Sequence, residues 1–376
     1  MRGKLLVAAA MCAALAGVAS AQEFVPPFAD ASDYLASAAP AQVQAPAGES
    51  IDMVQAPADL GKAGPADDFD CCFKACQFPC VYFQADALYW DRVGTGCDEV
   101  LVIDTDTSEP LFSTNDLDFN GAPGARFLIG WQPHHCCNCC AWELSYWGLY
   151  NWNADGLVEG EGDLAIPGDL GLASNNFFLA DTIVIDYRSE LHNVEFNCIK
   201  SCCTGCAKID FIAGFRYLAL NDQLTISSTD LQETTSSYDI DVHNDLYGLQ
   251  LGGRLTRPLC CCWGVEFTGK AGLFYNDVST SQLVTDFAGT SVPLPLRDVT
   301  GSRDGVAMLG ELGVVLIRPL NECWNLRLGY TAIGLGGVAL APDQLDFTDT
   351  FESGTEVHNT GWLFAHGAVA GLERRW

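Results

Sequence analysis

Polar and apolar residues alternate with a period of two along most of the chain from Val81 to the C-terminus, in segments of about ten residues. The segment WGVEFTGKAGLFY is an example with one apolar and one polar face. Its apolar face consists of Val265, Phe267, Gly269, Ala271, Leu273 and Tyr275, and its polar face of Glu266, Thr268 and Lys270. Because a tilted strand crosses a membrane in about 9 to 11 residues, the pattern predicts membrane-spanning strands.

Ten such segments can be counted, and single-chain bacterial outer-membrane barrels have even strand numbers. They span residues 81–91, 124–132, 141–152, 187–199, 207–220, 246–258, 262–275, 304–319, 324–341 and 361–376. A soluble β-sandwich would also alternate, but here the apolar faces are rich in Trp, Tyr and Gly and the other faces carry charges of both signs. We therefore predict an all-β fold, an antiparallel transmembrane β-barrel of about 10 strands (8–12).

The connections between these segments alternate between short and long. The long ones, residues 91–124, 153–186, 221–245, 276–303 and 343–360, hold 29 acidic and 3 basic residues, or −26 of the formal net charge of −29. Outer-membrane barrels have short periplasmic turns and long outward loops. The acidity is therefore expected at the outer rim, where it predicts attraction of cations.

The N-terminal region predicts export. A short basic start, the apolar core LLVAAAMCAALAGV and an A-x-A site indicate a signal peptide over residues 1–21, cleaved after Ala21. Residues 22–70 are rich in Ala and Pro and predict a disordered leader. Residues 71–80 form a Cys-rich periplasmic segment and residues 81–376 the transmembrane barrel, so the predicted location is the outer membrane.

The last segment, GWLFAHGAVAGLERRW, keeps its alternation to the final residue. Trp376 is in phase with the apolar face of this segment. Since barrel-assembly machinery recognises a terminal aromatic residue in this class of protein, Trp376 is predicted to be an insertion signal and that machinery a partner.

Four stretches carry a resemblance to a known family: YFQADALYWDR, ARFLIGWQP, WELSYWGLY and the closing HGAVAGLERRW. On these the chain resembles the putative β-barrel porin-7 family of planctomycete outer-membrane proteins, over Val81 to Trp376. The resemblance implies an outer-membrane barrel assigned as a porin, with no catalytic residues to carry over. It does not account for the many cysteines.

If the apolar faces meet lipid, the opposite faces line the lumen. The predicted lumen-facing residues are Arg126, Glu143, Glu195, Asp210, Arg216, Gln250, Arg254, Glu266, Lys270, Glu311, Arg327, Glu373 and Arg375. These charges either pair across a packed interior or line a water-filled path that sets ion preference. Ten strands favour the packed or very narrow interior, because water-filled channels are typical of about 16 to 18 strands.

One acidic loop contains DLDFNG, in which Asp116, Asp118 and Asn120 match the first half of a calcium-binding loop. The match then fails, because the twelfth position is Phe127 rather than Glu. Calcium at this loop and a merely solvated acidic loop both stay open. The sequence predicts no cofactor, with a divalent cation on the acidic loops as the alternative.

No enzyme motif stands out. The sequence has no G-x-S-x-G, no H-E-x-x-H and no Gly-rich phosphate loop. His192, His243, His358 and His366 lack a local nucleophile signature, so they are read as surface or lumen histidines.

The chain has 18 cysteines, and removal of the signal peptide with Cys12 leaves 17, an odd number. Only Cys97 lies in a long loop. The others are predicted at the periplasmic rim: Cys71, Cys72, Cys76, Cys80, Cys136, Cys137, Cys139, Cys140, Cys198, Cys202, Cys203, Cys206, Cys260, Cys261, Cys262 and Cys323. The oxidising compartment favours disulfides. The alternative is a zinc or copper site, suggested by Cys203-x-x-Cys206 and by His134 and His135.

The predicted function is passage of ions or small solutes. The alternative is a non-conducting structural or adhesin-like barrel with a disulfide-stapled base. Outer-membrane lipid and cations or small solutes are the expected partners, and nothing points to nucleic acid.

Overall fold

The computed structural model describes residues 81–132, 140–173, 177–204, 207–230, 235–260, 262–286 and 294–376. The predicted signal peptide, leader and Cys-rich segment lie outside the described residues. Within the described ranges, no helix is both long enough and apolar enough to cross a membrane.

Ten antiparallel strands form a closed ring. They are β1 (Val81–Val93), β4 (Ala122–Trp131), β5 (Ala141–Ala165), β6 (Phe178–Thr204), β7 (Ala207–Thr229), β8 (Thr235–Cys260), β9 (Trp263–Asp286), β10 (Leu294–Pro319), β11 (Trp324–Val338) and β12 (Gly361–Arg375). Each pairs with its neighbours in this order, and β12 returns to β1. At that seam the Trp376 amide donates a hydrogen bond to the Val81 carbonyl at 3.0 Å. The predicted antiparallel barrel of about ten strands is confirmed.

Two further strands lie in the first long connection and do not belong to the ring. β2 (Val100–Asp104) and β3 (Pro110–Ser113) form a hairpin, and β2 pairs with the far end of β5. A short helix, α1 (Gly168–Ala173), follows β5. We call the end of the barrel with the short connections the base, and the end with the long connections the mouth.

The six strands β5 to β10 are much longer than the sequence segments predicted, with 23 to 27 residues each. Much of the three predicted loops 153–186, 221–245 and 276–303 is therefore strand. Near the base, apolar side chains point outward, as with Leu249 and Leu251, which are 72% and 70% exposed. Towards the mouth the same period continues with the polarity reversed, so Ile240 points inward and Asp241 outward.

The outward face near the base is the apolar band expected of a membrane surface. The predicted apolar row of β9 lies on it, with Phe267, Leu273 and Tyr275 each at least half exposed. Exposed aromatic residues border the band on both sides. Those towards the mouth include Tyr89, Tyr150, Tyr247, Tyr275 and Tyr330, and those towards the base include Phe83, Trp131, Phe211 and Trp376.

Candidate functional site

The candidate site is the barrel interior, where charged side chains from all ten ring strands meet near the base. All thirteen residues predicted to face the lumen lie on the inward face. Most of them line one cavity of about 100 Å³. Such a volume holds a few water molecules. The buried Arg216 and Gln250 belong to the same group of side chains.

Seven acidic and seven basic side chains form this layer, and each of them takes part in an ion pair. The acids are Asp86, Glu143, Glu195, Asp210, Glu266, Glu311 and Glu373, and the bases are Arg126, Lys208, Arg216, Arg254, Lys270, Arg327 and Arg375. We call these fourteen residues the polar layer. Its formal charge is zero.

Several pairs in the polar layer join strands that are not neighbours in the ring. Arg254 on β8 donates two hydrogen bonds to the Glu143 carboxylate on β5, both at 2.9 Å. Tyr82 also donates to Glu143. Arg327 on β11 bridges Glu266 of β9 at 2.8 Å and Glu373 of β12 at 3.2 Å. The pairs between non-adjacent strands therefore connect separate parts of the barrel wall across the interior.

A second group of pairs surrounds Glu195. Lys270 Nζ lies 2.9 Å from Glu195 and 3.2 Å from Glu311. Arg216 Nη1 donates to Glu311 at 2.7 Å, and Gln250 donates to Glu195 at 2.7 Å. Because buried charges are stable only when they are paired and hydrogen bonded, this arrangement makes a packed interior stable.

Sequence reasoning missed two members of the polar layer, Asp86 and Lys208. Arg126 Nε donates to Asp86 at 2.7 Å, and Lys208 lies 3.1 Å from Asp210. Both positions have the inward phase of their strands: Asp86 lies two residues after the buried Gln84, and Lys208 two before Asp210. Extending the alternation to every position of each segment would have found them.

Above the polar layer, towards the mouth, the interior is apolar and filled. A cluster of buried side chains there, which we call the apolar plug, consists of Leu88, Trp90, Ala122, Trp147, Leu149, Trp152, Leu191, Leu218, Leu220, Leu246, Phe274, Ala307, Leu309, Ile333, Leu335, Val338, Leu340, Leu363, Ala365 and Val369. The rings of Trp90 and Trp147 lie 5.4 Å apart. None of these side chains is more than 4% exposed.

Trp152 corrects the predicted alternation. Strict alternation along the predicted segment 141–152 places it on the lipid-facing row with Tyr150, but it is fully buried in the plug and its indole N–H donates to the Trp90 carbonyl at 2.9 Å. The pairing of β5 with β6 shifts between Leu149 and Trp152, and Asn151 has a φ of 65°. This irregularity, of the kind a β-bulge produces, turns the following side chains to the other face.

Beyond the plug lies an ion pair that the sequence did not suggest. Arg92 is fully buried and lies 2.9 Å from Asp222, which also accepts hydrogen bonds from Tyr187 at 2.6 Å and Ser189 at 2.6 Å. A second apolar core, which includes Leu101, Leu170, Phe177 and Ile240, follows it towards the mouth.

The mouth is closed by the last connection, residues 339–360, which folds against the inner wall. Arg297 donates to the Asp346 carbonyl at 2.7 Å and Gln282 to the Gln344 carbonyl at 2.8 Å. Asn244 bonds both the amide and the carbonyl of Ala339 at 2.8 Å. Burial in this region raises the pKa of Tyr238 to about 12, so it stays a neutral phenol.

Most of the candidate cysteines lie outside the described residues, namely Cys71, Cys72, Cys76, Cys80, Cys136, Cys137, Cys139, Cys206 and Cys261. Cys140 and Cys198 lie at the base on β5 and β6 or next to them, with their thiols hydrogen bonded to each other. Among the described residues, no three His, Cys, Asp or Glu side chains come close enough to hold a metal ion. The choice between disulfides and a metal stays a prediction.

In the predicted calcium loop, the Asp116 carboxylate accepts hydrogen bonds from the amide and hydroxyl of Ser113 and so caps a short 3-10 helix. Asp118 is exposed. Calcium binding there also stays a prediction.

The histidines lie apart: His192 contacts Tyr146 at 3.1 Å, His366 contacts Tyr330 at 2.6 Å, and His243 contacts Asn221 at 2.9 Å.

Several solved structures are similar to this chain. The outer membrane protease OmpT from Escherichia coli is 8% identical with a TM-score of 0.44, over 79% of this chain and 96% of that one. A major outer membrane protein from Thermus thermophilus is 10% identical with a TM-score of 0.33, over 79% and 99%. The Pseudomonas putida toluene transporter TodX is 11% identical with a TM-score of 0.28, over 79% and 90%. No curated protein sequence matches the chain.

The comparison with protein families does give a match. The model of the family described as putative β-barrel porin-7 matches residues 89–359, which is well over half of the chain. The match covers the ring strands β4 to β11 completely, and with them most of the polar layer and most of the apolar plug. The chain therefore belongs to the putative β-barrel porin-7 family of outer-membrane barrels.

Proposed function

We propose that the protein is a closed outer-membrane barrel with a structural role, which conducts neither ions nor small solutes in this conformation. The observation that carries the proposal is the apolar plug, whose side chains fill the interior on the mouth side of the polar layer. An ion in transit would have to leave water for a region lined by apolar side chains, which costs several kcal/mol or more.

The polar layer supports the same conclusion. A selectivity filter presents groups that can exchange water for a permeating ion. Here the seven acids and seven bases are already paired with each other. A permeating cation would have to break these pairs, and the zero formal charge offers it no net attraction.

Conductance of the purified protein in a planar lipid bilayer tests the proposal. The barrel is expected to be silent at voltages where a general porin, added to the same bilayer as a positive control, gives discrete steps. Insertion is verified separately by the different gel mobility of boiled and unboiled protein. Discrete steps from the wild-type chain would overturn the proposal.

Passage of ions or small solutes is the second candidate, and one observation favours it. The last connection, which supplies Leu340 to the plug, accepts several side-chain hydrogen bonds at its backbone. Movement of that segment would open the mouth. Arg297→Ala removes two of the bonds, and conductance that arises in this variant alone would favour a gated channel.

We also infer that the chain is exported by cleavage after Ala21 and inserted by barrel-assembly machinery that recognises Trp376. Support comes from the terminal strand, in which Trp376 is more than half exposed at the seam. N-terminal sequencing of the mature chain should begin at Gln22. Trp376→Ser should reduce insertion, whereas Trp362→Ser, an equally exposed tryptophan at the other end of β12, should not.

A further inference from the structure

Arginine and tryptophan alternate around the outward face of the base, one residue per strand over five neighbouring strands. They are Arg257 on β8, Trp263 on β9, Arg318 on β10, Trp324 on β11 and Arg374 on β12. We call these five residues the Arg–Trp band. Each arginine is exposed and lies on the outward phase of its strand, next to an inward residue such as Thr256, Ile317 or Glu373.

Two guanidinium groups of the band, those of Arg318 and Arg374, lie over indole rings. Arg318 Cζ lies 5.4 Å from the centre of the Trp263 ring. Arg374 Cζ lies 5.5 Å from the Trp324 ring and 4.7 Å from the ring of Trp376. Stacking occupies the flat face of a guanidinium and leaves the N–H groups at its edge able to donate. The rings therefore hold these two guanidinium groups in place and leave their edge donors free to bind a ligand.

These arginines differ from those of the polar layer in lacking acidic partners. Within the residues that the structure describes, every polar-layer cation pairs with a carboxylate, whereas Arg257, Arg318 and Arg374 pair with none. At the other end of the outward face, Arg188 lies 2.8 Å from Asp186. Outward positive charge without an acidic partner is thus concentrated at the base.

We propose that the Arg–Trp band binds the phosphate groups of anionic phospholipids in the leaflet at the base of the barrel. The band lies at the edge of the apolar surface, where indole rings occupy the headgroup region of a membrane. Guanidinium groups bind phosphate oxygens through paired N–H donors. A basic side chain near an anionic membrane surface contributes about fivefold in affinity. The proposal is independent of whether the barrel conducts.

Quenching of tryptophan fluorescence by brominated lipids tests this site. The folded barrel is placed in phosphatidylcholine vesicles that contain a small fraction of either brominated phosphatidylglycerol or brominated phosphatidylcholine. Brominated phosphatidylglycerol should quench at several-fold lower mole fraction, because it concentrates beside Trp263, Trp324 and Trp376. The preference should fall as salt is raised.

In the triple variant Arg257→Gln, Arg318→Gln, Arg374→Gln, the two brominated lipids should quench the tryptophan fluorescence equally. The matched control is Arg188→Gln, which removes an outward charge at the other end and should keep the preference. Replacement of the same three arginines by lysine should keep part of the preference for phosphatidylglycerol. If the triple variant does not fold, each single variant is measured instead and should lower the preference about twofold or more. Equal quenching in the wild type, or an unchanged preference in the glutamine variants, would overturn the proposal.

Discussion

Arg216 Nη1 donates a hydrogen bond to Glu311 Oε2 at 2.7 Å, from β7 to β10, although β8 and β9 lie between these two strands along the wall. The Arg216 side chain is fully buried and also lies over the Trp147 ring, at 5.8 Å. One side chain therefore connects the polar layer to the apolar plug, and its loss affects both.

Removal of either partner of this pair should destabilise the barrel strongly. Arg216→Gln or Glu311→Gln leaves a buried charge with fewer partners, which costs about 3–5 kcal/mol. The double variant should lose less than the sum of the two, because neither charge is then left behind. Urea unfolding in lipid vesicles measures these losses. The exposed pair Arg188 and Asp186 is the control and contributes at most about 1 kcal/mol. Additive losses would show that the two residues do not interact.

The buried position of Trp152 predicts a large effect of its truncation. Trp152→Ala removes a fully buried ring and its hydrogen bond to Trp90, and should cost about 3–5 kcal/mol of unfolding free energy. Tyr150→Ala, two residues earlier on the outward face, should cost clearly less because Tyr150 is 39% exposed. Equal losses would mean that Trp152 faces lipid, as unbroken alternation predicts.

Cys97 should react slowly with alkylating reagents despite its exposure. Its hydrogen bond to the Asp343 carboxylate raises the pKa of the thiol to about 11. At pH 8 only about one molecule in a thousand then carries the reactive thiolate. Asp343→Asn should speed the reaction of Cys97 with iodoacetamide at least tenfold, measured on the Cys97 peptide by mass spectrometry. Glu99→Gln removes a more distant charge and should change the rate little; an equal effect of both variants would exclude the hydrogen bond as the cause.

Cys140 and Cys198 should form a disulfide when the folded protein is oxidised. Exchange with glutathione disulfide would join the two sulfurs and release two molecules of glutathione. Because the thiols already contact each other, the bridge should form without rearrangement of β5 and β6. Peptide mapping without reductant should find the linked pair in the wild type and in Cys202→Ser. If the oxidised protein holds only glutathione adducts at both cysteines, the pair does not bridge.

The membrane part of the fold was predictable because lipid imposes one rule on every strand. Outward residues there must be apolar, so Phe267 and Leu273 alternate with Glu266 and Lys270 in a pattern that needs no knowledge of the rest of the chain. The inward phase of each strand also predicted the positions of the charges in the polar layer. It did not predict which charges pair, because partners such as Arg254 and Glu143 lie more than 100 residues apart in the sequence.

The upper part of the fold was not predictable from the same rule. Beyond the apolar band the outward face meets water and the inward face meets the second apolar core. The polarity of the alternation is therefore reversed, as with the inward Ile240 and the outward Asp241. In the sequence, such a stretch resembles an acidic loop. Pairs such as Arg92 and Asp222, 130 residues apart, leave no local signal. The change of face at Trp152 depends on one residue, Asn151, whose neighbours give no indication of an irregular strand.

The Arg–Trp band stands at the opposite end of the outward face from the acidic connections, which hold 29 acidic and 3 basic residues. The molecule is therefore an electric dipole whose axis runs along the membrane normal. If the leaflet at the base carries the anionic phospholipids proposed above, an inverted barrel would bring its acidic end to them, and electrostatic repulsion would oppose that orientation. The charge distribution would then favour a single orientation of the barrel in the membrane.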